Sequence, residues 1–373
     1  MKLIHCSDLH LDSQFTAHYS PEQAARHRAR LLHTFLRMTD YARDEDVEAI
    51  LLCGDIFDTQ SVRPEAVRAV EQAVRRSPGV LFFYLCGNHD PRCPLFEGEE
   101  TPENLILAGR EWTGYTLRSR RHPRSAVRIT GLSWTGQSPI PALRQLSLSP
   151  SAVNIVLLHG TVTAGSAGAE DSADHIPLPL LKGKGIDYLA LGHLHAPAEG
   201  RIDGRGVYVY PGCLEGRGYD ECGDKGFMLI EVTPGRGLDH RFIPFAGSRI
   251  HDLETDCTGC TDTWEIARRM RAVMEKSGCG RQDLVRMTLT GEADPDCTPA
   301  RGILCEEGAS RCSDFELVSR LHSALNPEAY LGDLSLRGEF VRAVLADSAL
   351  PQEEADAVIR CGLRALDGEE VLL

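Results

Sequence analysis

Five short apolar runs, each followed at once by polar residues, constrain the fold of this 373-residue chain more than any other feature. The runs are residues 2–6, 49–53, 80–86, 154–158 and 188–191, and the residues after them begin with Ser7, Gly54, Gly87, His159 and Gly192. Continuous runs rich in branched apolar residues are typical of strands that are buried on both faces. The runs therefore predict parallel strands covered by other layers of the protein.

Two helical patterns lie between the first three runs. Residues 21–44 carry apolar side chains at helical spacing after Ser20 and Pro21, which is typical of a capped first turn, and residues 64–76 repeat the pattern after a proline. Strands that alternate with helices indicate the α/β class, at least as far as residue 90. With 42% hydrophobic residues, a chain of this length is expected to bury a full core and to divide into two domains.

From about residue 113 the pattern changes to short strands and turns. We predict strands at residues 115–117, 127–132, 207–210, 227–233 and 240–245, and we expect them in a second sheet. The polar segment 247–259 lacks helical periodicity, which places a boundary near residue 252, between a domain of residues 1–250 and a domain of residues 255–373. The second is predicted to be a small α+β domain, with a helix at 262–276, a strand at 284–290, a loop at 292–313, a helix at 315–325, a strand at 330–336 and a helix at 351–366.

Side chains that bind metals or transfer protons follow every one of the five runs. They are Asp8 and His10, Asp55, Asn88 and His89, His159, and His193 and His195. If extended geometry continues beyond Cys6, Asp8 and His10 point to the same face, because alternate residues of a strand share a face. Ligands of open α/β sheets bind at the carboxyl edge of the strands. We therefore expect the five strand ends to build one site.

The donor atoms of this site indicate a pair of metal ions. Seven of these side chains, all except His89, are too many ligands for one ion and enough for two ions if one carboxylate bridges them. Oxygen and imidazole ligands without a thiolate suit manganese, iron or zinc better than calcium. Two such ions activate a water molecule and hold both the attacking and the leaving oxygen of a phosphate ester. The set predicts a phosphoester hydrolase in which His89 is the general acid or stabilises the charge of the transition state.

Other residues near the runs have two open interpretations each. Asp58 and Asp90 are either hydrogen-bond partners of the histidines or caps of their loops. Arg63, Arg217 and Lys225 lie in loops near the motifs and are candidate contacts for a substrate phosphate, with solvated surface charge as the alternative.

The 13 cysteines lack the dense, even spacing of a secreted disulfide framework, so we expect reduced thiols. Cys6, Cys53 and Cys86 are predicted to act as small hydrophobic residues of the core. Cys257 and Cys260 have CxxC spacing, but no second pair completes a zinc site, so we interpret them as two thiols of a loop without an assigned role. No apolar run approaches the roughly 18 residues of a membrane span, and we expect a cytoplasmic protein without membrane contact.

The polar residues after the runs resemble, in order, the five motifs of the calcineurin-like metallophosphoesterases. The matching motifs are Asp8-x-His10, Gly54-Asp55, Gly87-Asn88-His89-Asp90, His159-Gly160 and Gly192-His193-Leu194-His195. Residues 7–12, residues 54–58 and Tyr210-Pro211-Gly212 are similar to the DNA-repair exonuclease branch of that family, the SbcD- and YhaO-type nucleases. Residues 285–291 and 336–341 resemble, more weakly, the capping region of the YhaO-type proteins.

This resemblance implies a fold and a division of the ligands between two ions. The implied fold is a two-sheet metallophosphoesterase sandwich flanked by helices, with a small C-terminal α+β capping domain. Asp8, His10, Asp55 and His195 would hold one ion, and Asp55, Asn88, His159 and His193 the other, with Asp55 bridging and His89 catalytic. The usual metal of the family is manganese, and iron, zinc and magnesium stay open. Cys213 stands where the family commonly has serine after Pro-Gly.

The function implied by the resemblance is a two-metal-dependent phosphodiesterase that acts on DNA in repair, as an exonuclease that also cuts at single-stranded positions. The implied partners are DNA and an SMC-like ATPase, and a homodimer stays open. One alternative is a hydrolase of small phosphodiesters or nucleotides on the same fold. Another is a non-catalytic subunit that binds DNA ends, and the intact set of seven ligands argues against it.

The charge of the chain bears on the choice between these substrates. Forty Lys and Arg residues against 54 Asp and Glu residues give a formal net charge of −14. This balance argues against a protein that binds nucleic acid through bulk electrostatics, and it favours a small substrate. Two divalent ions would concentrate positive charge in the site. If the substrate is DNA, its binding is therefore expected to depend on metal.

Overall fold

The computed structural model of the chain describes residues 1–15, 19–58, 62–123, 125–165, 172–235, 237–294, 297–324, 330–347 and 350–366. The chain forms two compact units, Met1–Ile250 and His251–Leu373. No helix among the described residues is long and apolar enough to cross a membrane.

The first unit contains three helices and fourteen strands among its described residues. The helices are α1 (Pro21–Asp44), α2 (Pro64–Arg76) and α3 (Ile140–Gln145), with a short 3-10 turn at Leu178–Leu180. The strands are β1 (Lys2–Cys6), β2 (Ala49–Cys53), β3 (Leu81–Leu85), β4 (Leu105–Leu107), β5 (Thr113–Arg118), β6 (Ala126–Gly131), β7 (Val153–His159), β8 (Thr161–Thr163), β9 (His175–Pro177), β10 (Tyr188–Gly192), β11 (Ala198–Arg201), β12 (Val207–Tyr210), β13 (Gly226–Thr233) and β14 (Gly237–Pro244).

Two six-stranded sheets, in the orders β14-β13-β1-β2-β3-β4 and β11-β12-β10-β7-β6-β5, form the body of this unit. They pack face to face, because Leu3 and Leu51 of the first sheet share one core with Ile155 and Ala190 of the second. The other face of the first sheet packs against α1 and α2. The other face of the second sheet packs against Leu143 of α3 and the segments around it. The predicted α/β fold, a two-sheet sandwich flanked by helices, is confirmed.

The assignment of strands to sheets differs from our prediction in two respects. The hairpin β13–β14, which we expected in the second sheet, pairs antiparallel with β1 in the first sheet. Conversely, β7 and β10, which carry two of the five apolar runs, lie in the second sheet. The physical reason is that β13 is apolar on both faces: Leu229 packs towards the helices and Ile230 packs into the core between the sheets. Such a strand fits beside β1, which is covered on both sides.

The second unit is built around a small sheet and four helices among its described residues. Its elements are β15 (Ile250–Asp256), which starts on the last residue of the first unit, α4 (Thr263–Lys276), β16 (Leu284–Thr290), β17 (Glu292–Ala293), α5 (Arg301–Ala309), β18 (Asp314–Ser319), β19 (His322–Ser323), α6 (Leu336–Leu345) and α7 (Gln352–Leu366). The strands β15, β16 and β18 form one sheet, and β17 pairs with β19. Helix α4 packs Ile266 and Met270 into a core with Met287 of β16.

Several predicted elements of this unit are wrong. The predicted loop 292–313 contains helix α5, and the segment 247–259, for which we predicted no helix or strand, contains strand β15. The predicted helix 315–325 is wrong: β18 covers residues 314–319 and pairs in parallel with β16, and the short strand β19 follows at residues 322–323, while residue 325 lies outside the described part. The predicted strand 330–336 instead consists of turns that lead into α6 at Leu336.

Candidate metal centre

The loops that follow β1, β2, β3, β7 and β10 meet at one place in the first unit. The loop after β1 lies along the loop after β2, because the Asp8 and His10 amides donate to the carbonyls of Gly54 and Asp55 at 3.1 and 3.0 Å. The second sheet joins them, because Nδ1 of His159, at the end of β7, lies 2.9 Å from the carbonyl oxygen of Cys53. The site therefore lies at the carboxyl ends of strands from two facing sheets, where we had argued from the edge of a single open sheet.

Asp8 and His10 converge for a reason other than the one we predicted. Their φ angles are 52° and 43°, so the chain leaves extended geometry immediately after β1. Residues other than glycine rarely adopt a positive φ, and such strained backbone conformations persist only where surrounding contacts impose them. Here the hydrogen bonds to the loop after β2 impose them, and Asp55 in that loop also has a positive φ, of 53°. Paired left-handed turns, and not strand alternation, aim these side chains into the site.

One group of candidate ligands consists of Asp8, His10 and His195, whose donor atoms all lie within 4.8 Å of one another. The Nε2 atoms of His10 and His195 are only 3.2 Å apart. Asp8 and His10 are buried, and His195 is partly exposed. The Asp8 carboxylate also accepts a hydrogen bond from the amide of His193, at 3.0 Å, which ties the loop after β10 to the loop after β1.

A second group surrounds Asn88. Its side-chain oxygen lies 2.9 Å from Nε2 of His159 and 3.2 Å from Nδ1 of His193. Asp55 stands between the two groups: one of its oxygens is 3.3 Å from Nε2 of His159 and 4.0 Å from Nε2 of His10. The structure thus brings together all seven of the side chains that the sequence marked as candidate metal ligands.

The charges inside this site oppose the effect of burial. Burial alone would raise the pKa of the Asp55 carboxyl, but the hydrogen bond and charge of His159 hold it below its ordinary value. Burial likewise disfavours the charged form of His159, and Asp55 overcomes that effect and raises the pKa of the ring. The surroundings of Asp55 therefore favour its anionic form, which is the form that binds a cation.

His89 lies at the rim of the site, with its ring centroid 4.8 Å from that of His10. Its side chain is 44% exposed, in contrast to the buried His10. Asp58 lies behind both rings, with one carboxylate oxygen 2.8 Å from Nδ1 of His10 and 3.3 Å from Nδ1 of His89. The hydrogen bond with Asp58 raises the pKa of His89 above its ordinary value, against the smaller opposing effect of partial burial. His89 is thus the accessible histidine at the rim of the site.

Asp58 and Asp90, for which the sequence left two interpretations open, have different positions. Asp58 is the partner of histidines described above. Asp90 instead caps the loops: its carboxylate accepts from the amides of Asp55, Ile56 and Gly87 at 3.1, 2.9 and 2.7 Å and from the Tyr84 hydroxyl at 2.6 Å. Asp90 therefore fixes the backbone that carries Asp55.

The three candidate phosphate contacts lie in different surroundings. Arg63 is half-exposed and forms an ion pair with Asp12 at 2.7 Å. Arg217 lies beside the site and contacts Glu221 at 2.9 Å and Asp58 at 3.4 Å. Lys225 is buried, and its Nζ donates to the carbonyl oxygen of His195 at 2.9 Å. Lys225 thus supports the backbone of the site, and the phosphate contacts of the three residues stay predictions.

Sequence reasoning missed Glu221, which is buried and lies 2.7 Å from Nδ1 of His195. It belongs to the stretch of Gly, Arg and Glu residues after Tyr210-Pro211-Gly212, where neither strand nor helix periodicity marks a position. The resemblance of that tripeptide to the nuclease branch and the basic residues Arg217 and Lys225 pointed to this segment, but neither signal pointed to Glu221.

The cysteines near the site are core residues, as predicted. Cys6 and Cys53 are fully buried, and burial raises the pKa of both thiols. In the second unit, Cys257 and Cys260 are also buried, within the apolar core. Among the described residues, neither belongs to a group of three or more side chains arranged to hold a metal ion.

The donor set fits divalent cations. Nδ1 of His10 and Nδ1 of His195 both face carboxylates, so the lone pairs of both Nε2 atoms are left to point at the space beside Asp8. Metal-binding histidines generally have their second nitrogen held in this way. Carboxylate oxygens, an amide oxygen and imidazoles without a thiolate match manganese, iron, zinc or magnesium.

Comparison with known proteins agrees with this geometry. The family model described as calcineurin-like phosphoesterase matches residues 1–197. The chain is similar to the uncharacterized metallophosphoesterase YhaO of Bacillus subtilis strain 168, with 30% identity over 310 residues, covering 79% of this chain and 72% of that protein. It is also similar to the DNA double-strand break repair protein Mre11 of Methanopyrus kandleri, with 26% identity over 366 residues, covering 91% of this chain and 75% of that protein.

Among solved structures, GAP50, the anchor in the inner membrane complex of Plasmodium, is similar with a TM-score of 0.44 and 16% identity, over 66% of this chain and 85% of that one. The segment matched by the family model, residues 1–197, contains all seven candidate ligands and His89. Arg217, Glu221 and Lys225 lie beyond it.

Proposed function

Because the chain belongs to the calcineurin-like phosphoesterase family, we propose that it is a metal-dependent phosphodiesterase that acts on DNA. The observation that carries the proposal is the convergence of seven candidate ligands beside one accessible histidine, which is the arrangement that hydrolysis of a phosphate ester requires. DNA is proposed as the substrate because a relative aligned over 91% of this chain is named as a DNA double-strand break repair protein.

We assign the ligands to two ions. Asp8, His10 and His195 would hold one ion, Asn88, His159 and His193 the other, and Asp55, which lies between the groups, would touch both. When bound, such ions lower the pKa of a water molecule and neutralise the charge of the phosphodiester. We propose manganese as the native metal. The same donor atoms accept iron, zinc or magnesium.

His89 is the group that we propose to protonate the leaving oxygen. It is the accessible histidine at the rim of the site, and Asp58 orients its ring and stabilises its protonated form. Asp58 also contacts His10, so a single carboxylate positions one candidate ligand and the acid. General acid catalysis of this kind typically contributes about 10²- to 10⁴-fold to a rate.

We propose that His251–Leu373 is the capping unit and binds DNA, and that an SMC-like ATPase is a partner, as the resemblance to the nuclease branch implies. The net charge of −14 favours one competing function, hydrolysis of small phosphodiesters or nucleotides at the same site.

A panel of substrates tests the proposal. The full chain is incubated with Mn²⁺ or with a chelator and with a chromogenic phosphodiester, a cyclic nucleotide, linear duplex DNA and single-stranded DNA. We expect Mn²⁺-dependent cleavage of DNA, lowered by about 10² or more in His89→Ala. The matched control is His33→Ala, which removes an exposed histidine of α1 and is expected to leave cleavage unchanged.

Two results would contradict the proposal. Cleavage of DNA that persists in chelator would exclude the metal-dependent mechanism. Activity restricted to the chromogenic substrate and the cyclic nucleotide would replace the proposed substrate by a small phosphodiester.

A further inference from the structure

A segment of the first unit that lies beyond the region matched by the family model encloses His195. This segment, residues 213–225, connects β12 to β13 and is called the 213–225 loop below. It holds the peptide group of His195 from two positions: the amide of Cys213 and Nζ of Lys225 donate to its carbonyl oxygen at 3.3 and 2.9 Å. The loop thus fixes the backbone of one candidate ligand.

The same loop holds the ring of His195. An oxygen of Glu221 lies 2.7 Å from Nδ1 of that ring. Glu221 is only 4% exposed, and Arg217 keeps it in place through its backbone amide at 2.7 Å and its guanidinium at 2.9 Å. The carboxylate is therefore presented to the histidine in one orientation.

This contact determines which nitrogen of His195 carries the proton. A carboxylate oxygen is an acceptor, and two acceptors cannot face each other at 2.7 Å, so Nδ1 carries the proton and donates a hydrogen bond to Glu221. Nη2 of Arg217 also lies near this nitrogen, at 3.2 Å, but it donates to the same Glu221 oxygen at the shorter distance of 2.9 Å. The lone pair of Nε2 is then free, and this atom faces Nε2 of His10 at 3.2 Å. His10 is held in the same manner, because its Nδ1 lies 2.8 Å from Asp58.

We infer that Glu221 is a positioning residue for metal binding, which fixes the Nδ1–H tautomer and the orientation of His195 so that its Nε2 can hold an ion. This inference rests on the proposed function, since it presupposes an ion between Asp8, His10 and His195. The metal site would then need the 213–225 loop, although all seven candidate ligands lie within residues 1–197.

The loop itself offers a matched control for the test. Glu215 is 2% exposed, comparable to Glu221, and it also accepts several hydrogen bonds, from Thr34 at 2.7 Å and from the amide and hydroxyl of the Gly247–Ser248 segment at 2.7 Å each. None of these partners is a candidate ligand. Removing the charge of Glu215 therefore disturbs the fold to a similar degree without reaching His195.

The experiment is a calorimetric titration of the chelator-treated full chain with Mn²⁺, comparing wild type, Glu221→Gln and Glu215→Gln. We expect two sites in the wild type. Glu221→Gln should weaken one of them by about 10- to 100-fold, the usual effect of losing the partner of a metal-binding histidine, and leave the other unchanged. Glu215→Gln should bind both ions as the wild type does.

Unchanged affinity of both sites in a folded Glu221→Gln variant would overturn the inference while leaving the proposed function intact. A wild-type chain that binds no Mn²⁺ would instead overturn the proposed function, and this inference with it. The Mn²⁺ concentration needed for half-maximal activity provides a second readout, and it should rise by the same factor in Glu221→Gln alone.

A spectroscopic measurement on the wild-type protein, with His195→Gln used only to assign the signals, keeps the inference testable if the Glu221 and Glu215 variants fail to fold. Nitrogen-15 spectra of the histidine side chains in the chelator-treated protein at alkaline pH report which ring nitrogen carries the proton, and His195→Gln identifies the signals of His195. We expect protonated Nδ1 and unprotonated Nε2. The opposite tautomer would overturn the inference.

Discussion

Three histidines of the metal centre share one arrangement of their two ring nitrogens. One nitrogen faces a fixed acceptor, which is Asp58 for His10, Glu221 for His195 and the carbonyl of Cys53 for His159. The other nitrogen faces the site. Because each acceptor holds Nδ1, Nε2 is the nitrogen that each ring offers to an ion. The chemistry of the site thus depends on residues outside the set of candidate ligands.

The variant Gly192→Ala tests how closely the two sheets approach each other below the site. A Cβ there would overlap the carbonyl oxygen of Cys53 and lie 2.8 Å from Nδ1 of His159. A backbone oxygen cannot move aside as a flexible side chain can, so we expect Gly192→Ala to lower the free energy of unfolding by about 1–3 kcal/mol or more. Urea unfolding measures the change.

The control for this variant is Gly204→Ala, because no atom lies within 4 Å of a Cβ at Gly204. Its effect should stay within about 1 kcal/mol in either direction. Equal stability of the two variants would show that the close approach of Gly192 to Cys53 is not present in solution.

His5 predicts a pH dependence of stability. It is fully buried between the sheets, where its ring contacts the Tyr188 hydroxyl at 2.9 Å and the carbonyl of Leu191 at 3.1 Å, and burial lowers its pKa from 6.5 to about 3. Below pH 6.5 the unfolded chain binds a proton at this ring and the folded chain does not, so stability falls as the pH falls from 6.5 towards 3. Between pH 7 and pH 5 the loss should be about 2 kcal/mol.

Urea unfolding at both pH values, with chelator present, compares wild type with His5→Gln. Glutamine does not titrate, so the variant should lose about 2 kcal/mol less than the wild type over this range, and the other titrating groups cancel in the comparison. The same pH dependence in both proteins would contradict the burial of a neutral His5.

The spacing of polar residues after apolar runs was sufficient to predict all seven candidate ligands and His89. These residues could be predicted because a strand and its next few residues form a local unit, visible in the sequence. Glu221 could not, because its role depends on a contact across 26 positions with His195 and leaves no periodic pattern. The conformation of Asp8 and His10 was also hidden, since left-handed turns held by hydrogen bonds to a neighbouring loop are a tertiary effect.

At the scale of elements, Asp90 connects the loops after β2 and β3. Its carboxylate accepts amides from both loops and the hydroxyl of Tyr84 on β3. Because these donors are buried, they have no water to replace a lost acceptor. The geometry of Asp55 relative to Asn88 therefore depends on this one side chain.

Asp90→Asn replaces one carboxylate oxygen by an NH₂ group. That group cannot accept the hydrogen bonds that the oxygen accepts from the surrounding amides and from the Tyr84 hydroxyl. We expect the free energy of unfolding to fall by about 1.5–3 kcal/mol, the range for hydrogen bonds to a charged group. Tyr84→Phe removes only one of the hydrogen bonds and should cost about 1 kcal/mol. Chemical unfolding of both variants tests the ranking, and a larger loss for Tyr84→Phe would contradict the role of Asp90 as the common acceptor.

The elements with strong local patterns were predicted correctly, and those defined by distant partners were not. Helices α1 and α2 and strands β1 and β2 have the predicted bounds, because their periodicity and capping residues are local. The hairpin β13–β14 was assigned to the wrong sheet, since a sequence does not state which strand a hairpin will join. Strand β18 was read as a helix because its few apolar residues fit either period.

At the scale of the whole molecule, the net charge of −14 opposes DNA binding outside the metal site. Two divalent ions would reverse the sign of the potential only where the candidate ligands converge. An acidic chain can still bind DNA if its affinity for DNA is concentrated at the metal site.

We therefore predict that retention of DNA depends on metal. A gel-shift experiment with phosphorothioate DNA, which resists cleavage, compares the full chain with Mn²⁺ and with chelator at physiological salt. In chelator the dissociation constant should be no tighter than the range of about 10⁻⁴–10⁻⁶ M typical of non-specific binding, and Mn²⁺ should tighten it. Asp55→Asn in Mn²⁺ should resemble the wild type in chelator, whereas equally tight binding under both conditions would contradict the prediction.

Anomalous diffraction at the manganese edge, from crystals of the chain soaked in Mn²⁺, tests whether the two sheets build one site for two ions. We predict two peaks in the first unit. One should contact Asp8, His10 and His195, the other Asn88, His159 and His193, and Asp55 should contact both. A single peak, or peaks away from these side chains, would exclude the proposed two-ion site.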